Sequence, residues 1–322
     1  MEQQEKIKEI TEKLEKGIED LFQSENYKNY LLTMSKFTSY SLNNTLLIAM
    51  QKPDATTVAG YTTWKSLGRQ VKKGEKAIQI LAPIIYKKKR EDEGKEDDRI
   101  SARRDKPLSG KTEKILVGFK MVNVFDISST EGEPLPEIAH KLDGTVEGYA
   151  DFMRAIKEIS PVPVEIKKID GSANGYYDLK EKYIAIDSGM SQTMHCKTGI
   201  HELAHAILHD RDIETEKDSK VDIETKEVQA ESVAFTVCEY FGINTSDYSF
   251  GYISGWSSGK DLKELKASME TIRNTAQIII TGINEKLEGI KMSKQKGMEI
   301  SENKHTDFLK QDKPLHKKSM RH

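Results

Sequence analysis

Cysteine is almost missing from this 322-residue chain: only Cys196 and Cys238 occur. Two thiols cannot build a disulfide framework, and their scarcity fits a reducing compartment, so a cytoplasmic location is expected. Long apolar runs are missing as well. No stretch approaches the roughly 18 residues that a membrane-spanning helix needs, so no membrane partner is expected. The segment Met1–Ile10 is charged from its second residue and holds no apolar leader core, so export by a cleaved signal is not expected. Aromatic residues are few, at 7%, yet 36% of the chain is hydrophobic. That is too much for a wholly disordered polymer, and the length suits two cores rather than one.

What the chain has in abundance is charge, 32% of residues, and it is segregated beneath a formal net of −2. Lys28 to Arg90 holds 12 basic against two acidic residues, a local +10, whereas Ile138 to Ile290 holds 17 basic against 26 acidic, a local −9. From Lys291 to His322 the balance returns to +5, with nine basic and four acidic residues. Such asymmetry points to different partners for the two halves, with a polyanion favoured by the basic one.

The periodicity predicts an α+β protein of two domains, 1–136 and 137–290, followed by a basic tail over 291–322 without regular structure. Ile7, Ile10, Leu14, Ile18 and Leu21 recur at helical spacing. A second helical run ends near Met50, before Pro53-Asp54. Strands are expected at 76–86 and 115–125, joined by a flexible charged insertion over 87–114, and Glu131–Pro136 reads as the linker. Beyond it, a helix over 146–159, a strand over 162–169 and a strand pair at 176–177 and 183–186 precede three helices, at about 191–209, 220–241 and 259–287.

The strongest chemical signal is His201-Glu202-Leu203-Ala204-His205 on a predicted apolar helix. A four-residue step brings both imidazoles to one helix face, where they can ligate one Zn²⁺, and Glu202 lies beside them as a general base toward a water the metal activates. A third ligand is required. His209 lies too far along the same helix, and the position where one zinc-peptidase pattern carries a final histidine is Arg211. The next helix offers Glu231 and, one turn earlier, Glu227; Glu231 is favoured because it shares a stripe with Ala234 and Cys238, and an inward carboxylate needs a partner. Tyr176 and Tyr177 on the strand pair are candidates for substrate contact or oxyanion stabilisation. In the basic half, Trp64 lies among Lys65, Arg69, Lys72, Lys73 and Lys76, with Tyr40, Asn43, Asn44 and Tyr61 preceding it. Cations that follow phosphates and aromatic faces that stack bases are the requirements of single-strand binding.

Two sets of motifs together resemble a known family. Ser39–Ile48, Gln51–Ala55, Gly60–Trp64, Gly68–Ala77 and Val124–Asp126 resemble the amino-terminal domain of ArdC-type antirestriction proteins. His201–His205, Ala230-Glu231 and Gly251–Trp256 resemble the zincin-like domain that follows it, akin to ImmA/IrrE metallopeptidases. The resemblance implies a cytoplasmic protein of a mobile element that binds single-stranded DNA and shields conjugative DNA from restriction. It also implies an unidentified protein substrate, Zn²⁺ as cofactor, His201, His205 and Glu231 as ligands, and Glu202 as catalytic base. Two other readings are a binding-only antirestriction protein with non-catalytic zinc, and a regulatory peptidase that cleaves a repressor.

Overall fold

A computed structural model describes residues 2–22, 24–89, 112–135, 146–210, 221–246, 248 and 250–311. The chain divides into two compact units, Met1–Pro136 and Glu137–His322.

The first unit opens on three helices, α1 (Glu2–Leu21), α2 (Ser24–Lys36) and α3 (Leu42–Gln51). The predicted stripe of α1 is where it buries: Ile10, Leu14, Ile18 and Leu21 are covered. Ser41 caps α3 by accepting a hydrogen bond from the Asn44 backbone N–H, which satisfies one of the donors a helix start leaves orphaned. There follow β1 (Val58–Gly60), α4 (Tyr61–Ser66), β2 (Arg69–Val71), β3 (Ile78–Lys89), β4 (Thr112–Asp126) and β5 (Thr130–Gly132). One antiparallel sheet has the order β1-β4-β3, and β2 pairs with β5 in a second. The long β3–β4 hairpin keeps one register from Ile78↔Val124, shifts at Ile84/Ile85, and reaches Lys89↔Thr112.

The outer edge of β3 is sealed by two side-chain amides from α3. Asn44 both donates to and accepts from the Leu81 backbone, at 2.9 Å each way, and Gln51 does the same to Gln79. They replace the hydrogen bonds a further strand would make, so this stretch of edge cannot template foreign pairing. Asp126, buried at the end of β4, accepts from the backbone N–H groups of Thr56, Thr57 and Ser128. Burial would raise its pKa, but these donors prevail and hold the carboxyl below its usual range.

Two expectations change here. Glu131 and Gly132 are not linker but part of β5, fixed by pairing with Gln70 and Arg69. Strands of three residues are too short to show a period in sequence. The insertion is narrower than 87–114, because Lys87–Lys89 and Thr112–Lys114 are paired in the hairpin; 90–111 lies outside the described residues.

The second unit runs α5 (Val146–Ile159), β6 (Val164–Lys167), β7 (Gly175–Asp178), β8 (Tyr183–Asp187), α6 (Gln192–Leu208), α7 (Ile223–Tyr240), α8 (Ile253–Ser257) and α9 (Leu262–Gln311). Its sheet has the order β6-β8-β7, with β6 parallel and β7 antiparallel to the central β8. β8 is the apolar centre, with Ile184, Ala185 and Ile186 fully buried. α6 packs on this sheet and on α7, and α9 covers α5 and α7. α9 continues to Gln311, past the predicted end near Leu287. Residues 291–311 show no sustained apolar period, but they include five Lys together with Glu, Gln and Met, all residues of good helix propensity. The rest of the tail, 312–322, lies outside the described residues. Among the described residues, no helix is long and apolar enough to cross a membrane.

Asp222 caps α7, accepting from the Thr225 N–H at 2.6 Å and from the Lys260 ammonium at 3.0 Å. Burial raises its pKa, but the Thr225 N–H and Lys260 outweigh that and bring the carboxyl to about 2. A depressed carboxyl contributes stability above its unfolded-state pKa and loses it as pH falls through the folded value. Asp222→Ala is therefore expected to cost about 1 kcal/mol at pH 7. In thermal melts, the gap between variant and wild type should close as the pH falls from about 4 to 2.

Candidate functional site

The central turn of α6 carries the His201–His205 motif, and Ser191 starts that helix by accepting from the Met194 N–H. The strand facing it is β7, which approaches closely only because Gly175 has no side chain. A Cβ there would stand 2.5 Å from Thr198 Cγ2 and 2.8 Å from the Ala185 carbonyl oxygen. The close approach lets the Tyr177 backbone N–H reach the Glu202 carboxylate.

The Nε2 atoms of His201 and His205 face each other at 3.1 Å. Glu227 of α7 stands across from both, Oε1 3.4 Å from His205 Nε2 and Oε2 3.6 Å from His201 Nε2. His201, His205 and Glu227 thus form one cluster with ligand atoms all within 4.8 Å of one another. Tetrahedral ligands about 2.0–2.1 Å from a Zn²⁺ are separated from each other by roughly 3.3–3.4 Å. The two Nε2 atoms stand at about that separation, and each lies 3.4 to 3.6 Å from one oxygen of the Glu227 carboxylate, so closing the cage on a single oxygen asks only a small turn of that side chain. The cluster's chemistry fits too, since two imidazoles and a carboxylate are a donor set of catalytic zinc sites.

Glu231 takes a different position from the expected one. Its Oε2 lies 3.5 Å from Nδ1 of His201, on the other side of the ring from the cluster. Burial decided the sequence-based choice, and Glu231 is indeed the less exposed of the two, with its side chain 33% exposed against 59% for Glu227. The carboxylate that meets both ring nitrogens is nevertheless the one at the solvent lip, one turn earlier.

Electrostatics separate the carboxylates. The two imidazoles hold Glu227 well below the usual carboxylate range. Burial pushes Glu202 up, although His201 and His205 pull it down. His201 is lowered by burial, but Glu227, Glu202 and Glu231 overcome this and raise it. Two clefts flank the pair His201–Glu202. One of about 300 Å³ is lined by Asn174, Lys197, Thr198 and Glu231; the other, of about 400 Å³, is lined by Tyr176, Tyr177, His209 and Glu227.

Neither tyrosine hydroxyl is aimed at the cluster. Tyr176 shares a hydrogen bond with Tyr183 at 2.9 Å, and Tyr177 donates to Asp210, which also pairs with Lys182. The buried Cys196 and Cys238 are thiols pushed up by desolvation, to about 12 for Cys196. Neither joins the cluster.

In the first unit the predicted nucleic-acid residues part company. Trp64 is fully buried and donates from Nε1 to the Phe125 carbonyl at 2.9 Å. Tyr40 donates to the Val58 carbonyl, and burial raises its hydroxyl pKa. Asn44 is spent on the β3 edge. Arg69 reaches Thr130, Gly132 and Glu133, tying β2 to β5. These four are framework. Asn43, Lys65, Lys72, Lys73 and Lys76 are exposed. The aromatic faces open to solvent are Tyr61, which precedes the basic cluster as expected, and two not foreseen, Tyr86 and Phe119, on the β3–β4 hairpin beside exposed Ile84, Ile85, Leu116 and Val117. For Tyr86 the signal in sequence was an apolar run, Ile84-Ile85-Tyr86, leading directly into the basic run Lys87–Arg90.

Two family models match in order along the chain. That for the N-terminal domain of anti-restriction factor ArdC covers residues 2–125, and that for the IrrE N-terminal-like domain of the M78 peptidases covers 159–244. The chain thus joins, in this order, a unit similar to the ArdC N-terminal domain and a unit similar to the IrrE N-terminal-like domain. Its second domain has a metallopeptidase-related fold. An uncharacterized protein of Bacillus anthracis is 27% identical over 92% of this chain, which spans only 54% of that relative's length. Two crystal structures of the antirestriction ArdC protein from plasmid R388 also align. The metal-free form gives a TM-score of 0.48 at 20% identity, covering 78% of this chain and 86% of that one. The Mn(II)-bound form gives 0.44 at 17% identity, covering 77% and 85%.

Proposed function

We propose that the chain is an ArdC-type protein, a zinc-dependent peptidase whose other unit binds single-stranded DNA, serving in antirestriction. The observation that carries the peptidase reading is the convergence of His201 Nε2, His205 Nε2 and Glu227 at 3.1 to 3.6 Å, with Glu202 beside them. A divalent ion in this cage would lower the pKa of a water and polarise a peptide carbonyl. Glu202 accepts the proton of the attacking water, and its raised pKa suits it to pass that proton on to the leaving amine. The Tyr177 N–H holds the Glu202 carboxylate in place. The edge of β7 beside the two clefts gives an extended peptide a backbone to pair with. Glu231, against Nδ1 of His201, holds that ring and raises its basicity as a ligand.

The peptidase reading is tested by incubating the Zn²⁺-loaded chain with a library of unstructured peptides and reading new termini by mass spectrometry. Cleavage that stops on chelation supports it; no cleavage with Zn²⁺ bound in stoichiometric amount contradicts it.

For DNA, the proposed surface is that of Lys65, Lys72, Lys73 and Lys76 with Tyr61, Tyr86 and Phe119 as stacking faces. Base–aromatic stacking is worth about 1–3 kcal/mol per base. Tyr86→Ala with Phe119→Ala should weaken binding to an unstructured oligonucleotide at least about tenfold while leaving the melting temperature unchanged. Lys72→Glu with Lys73→Glu should weaken it and flatten its dependence on salt. Fluorescence anisotropy across a salt series reads both.

A further inference from the structure

His209 was set aside as a ligand for its distance along the helix, yet it is among the best-held polar side chains near the cluster. It is 7% exposed, and its Nδ1 lies 3.0 Å from Nδ1 of His205. Its Nε2 lies 3.1 Å from Oε1 of Gln229, and Gln229 Nε2 donates to Ser268 Oγ at 2.9 Å. Gln229 and Ser268 are buried as well, at 6% and 5% exposed. A chain of polar contacts therefore runs from α9 through α7 to the end of α6 and on to a candidate ligand.

With the Gln229 amide oriented as these contacts place it, the hydrogens along the chain follow in order. Gln229 Nε2 donates to Ser268 Oγ, and the Gln229 oxygen, on the His209 side, can only accept. His209 Nε2 must then carry the hydrogen. In a neutral imidazole the other nitrogen is an acceptor, so His209 Nδ1 receives a hydrogen from His205 Nδ1. His205 is left with a bare Nε2, which can accept from His201 Nε2, 3.1 Å away.

We infer that His209 and Gln229 are positioning residues that lock His205 in the tautomer presenting Nε2 to a divalent metal ion, with the Gln229 amide held in turn against Ser268. This rests on the metal-centre reading above and adds to it a device by which the α7–α9 packing prepares the site before any ion arrives. Outer partners of this kind typically change metal affinity by about 10–100-fold when removed.

The test uses the full chain labelled with ¹⁵N-histidine and stripped of metal. Long-range ¹H–¹⁵N spectra should show His205 protonated at Nδ1 and bare at Nε2. Gln229→Leu removes the acceptor while keeping a side chain of similar size, and should mix the His205 tautomers. Chelator competition should then show Zn²⁺ affinity lowered about 10–100-fold, with Gln229→Glu, which keeps an acceptor oxygen, restoring it. His209→Ala should behave as Gln229→Leu does. A wild-type His205 carrying its proton on Nε2 would overturn the inference. So would Gln229→Leu with wild-type tautomer and affinity, even if its metal-free melting temperature fell, since that pattern marks packing alone. If the wild-type chain binds no Zn²⁺, the metal-centre reading fails, and the metal-free spectra still decide the tautomer.

Discussion

Glu202→Gln is expected to fold and hold Zn²⁺ as the wild type does, while peptide hydrolysis falls by about 10²–10⁴-fold. The substitution is nearly isosteric, and the amide oxygen can still accept from the Tyr177 N–H that reaches the carboxylate. What it removes is the only function the site asks of this side chain, accepting and returning a proton. Glu202 is 8% exposed, so no bulk water stands ready to replace it. It is also not among the three clustered donors, so metal affinity should change little. Zn²⁺ competition, a thermal melt and the peptide-library assay on one preparation check the three parts. The same variant separates the biological readings. If hydrolysis serves antirestriction, incoming DNA loses protection with Glu202→Gln; undiminished protection would leave the binding-only reading.

Trp64→Ala should destabilise the first unit by about 3–5 kcal/mol, in the range of large aromatic deletions from a core. Trp64 is fully buried, and its Nε1 hydrogen satisfies the Phe125 carbonyl at the end of β4. Truncation leaves both a cavity and an unpaired carbonyl oxygen. A residue that instead stacked on bases would lose DNA affinity with its fold intact. Denaturant titration beside the anisotropy assay distinguishes the two. Trp64→Phe should recover most of the volume but not the hydrogen bond, and so fall between.

These outcomes also mark what the amino-acid order discloses. The helix of His201–His205 was legible because its apolar neighbours, its serine cap and its metal-ligand spacing all agree, and agreement between levels is what specifies structure. The pairing of β7 with β8 and the long β3–β4 hairpin were legible from alternating β-branched and aromatic runs around turn signals. Which carboxylate stands across from both Nε2 atoms was not. A helical stripe reports which side chains are buried, and it singled out Glu231. The side chain whose oxygens stand opposite both Nε2 atoms is instead Glu227, one turn earlier and more open to solvent. The basic half misled in the opposite sense: aromatic residues among lysines look like a stacking surface, but Trp64 and Tyr40 spend their polar atoms on backbone carbonyls. The role of Asn44 depends on the β3 edge 37 residues away, a pairing that no local pattern encodes. The extension of α9 escaped for a third reason, because propensity alone leaves no hydrophobic period to read.

The measurement that bears most directly on the metal centre compares Zn²⁺ affinity in Glu227→Gln and Glu231→Gln by chelator competition. The geometry predicts that Glu227→Gln loses more than about 100-fold, as expected when a ligand rather than an outer partner is removed, while Glu231→Gln loses no more than about 10–100-fold. Wild-type affinity in Glu227→Gln together with collapse in Glu231→Gln would contradict the His201–His205–Glu227 cage.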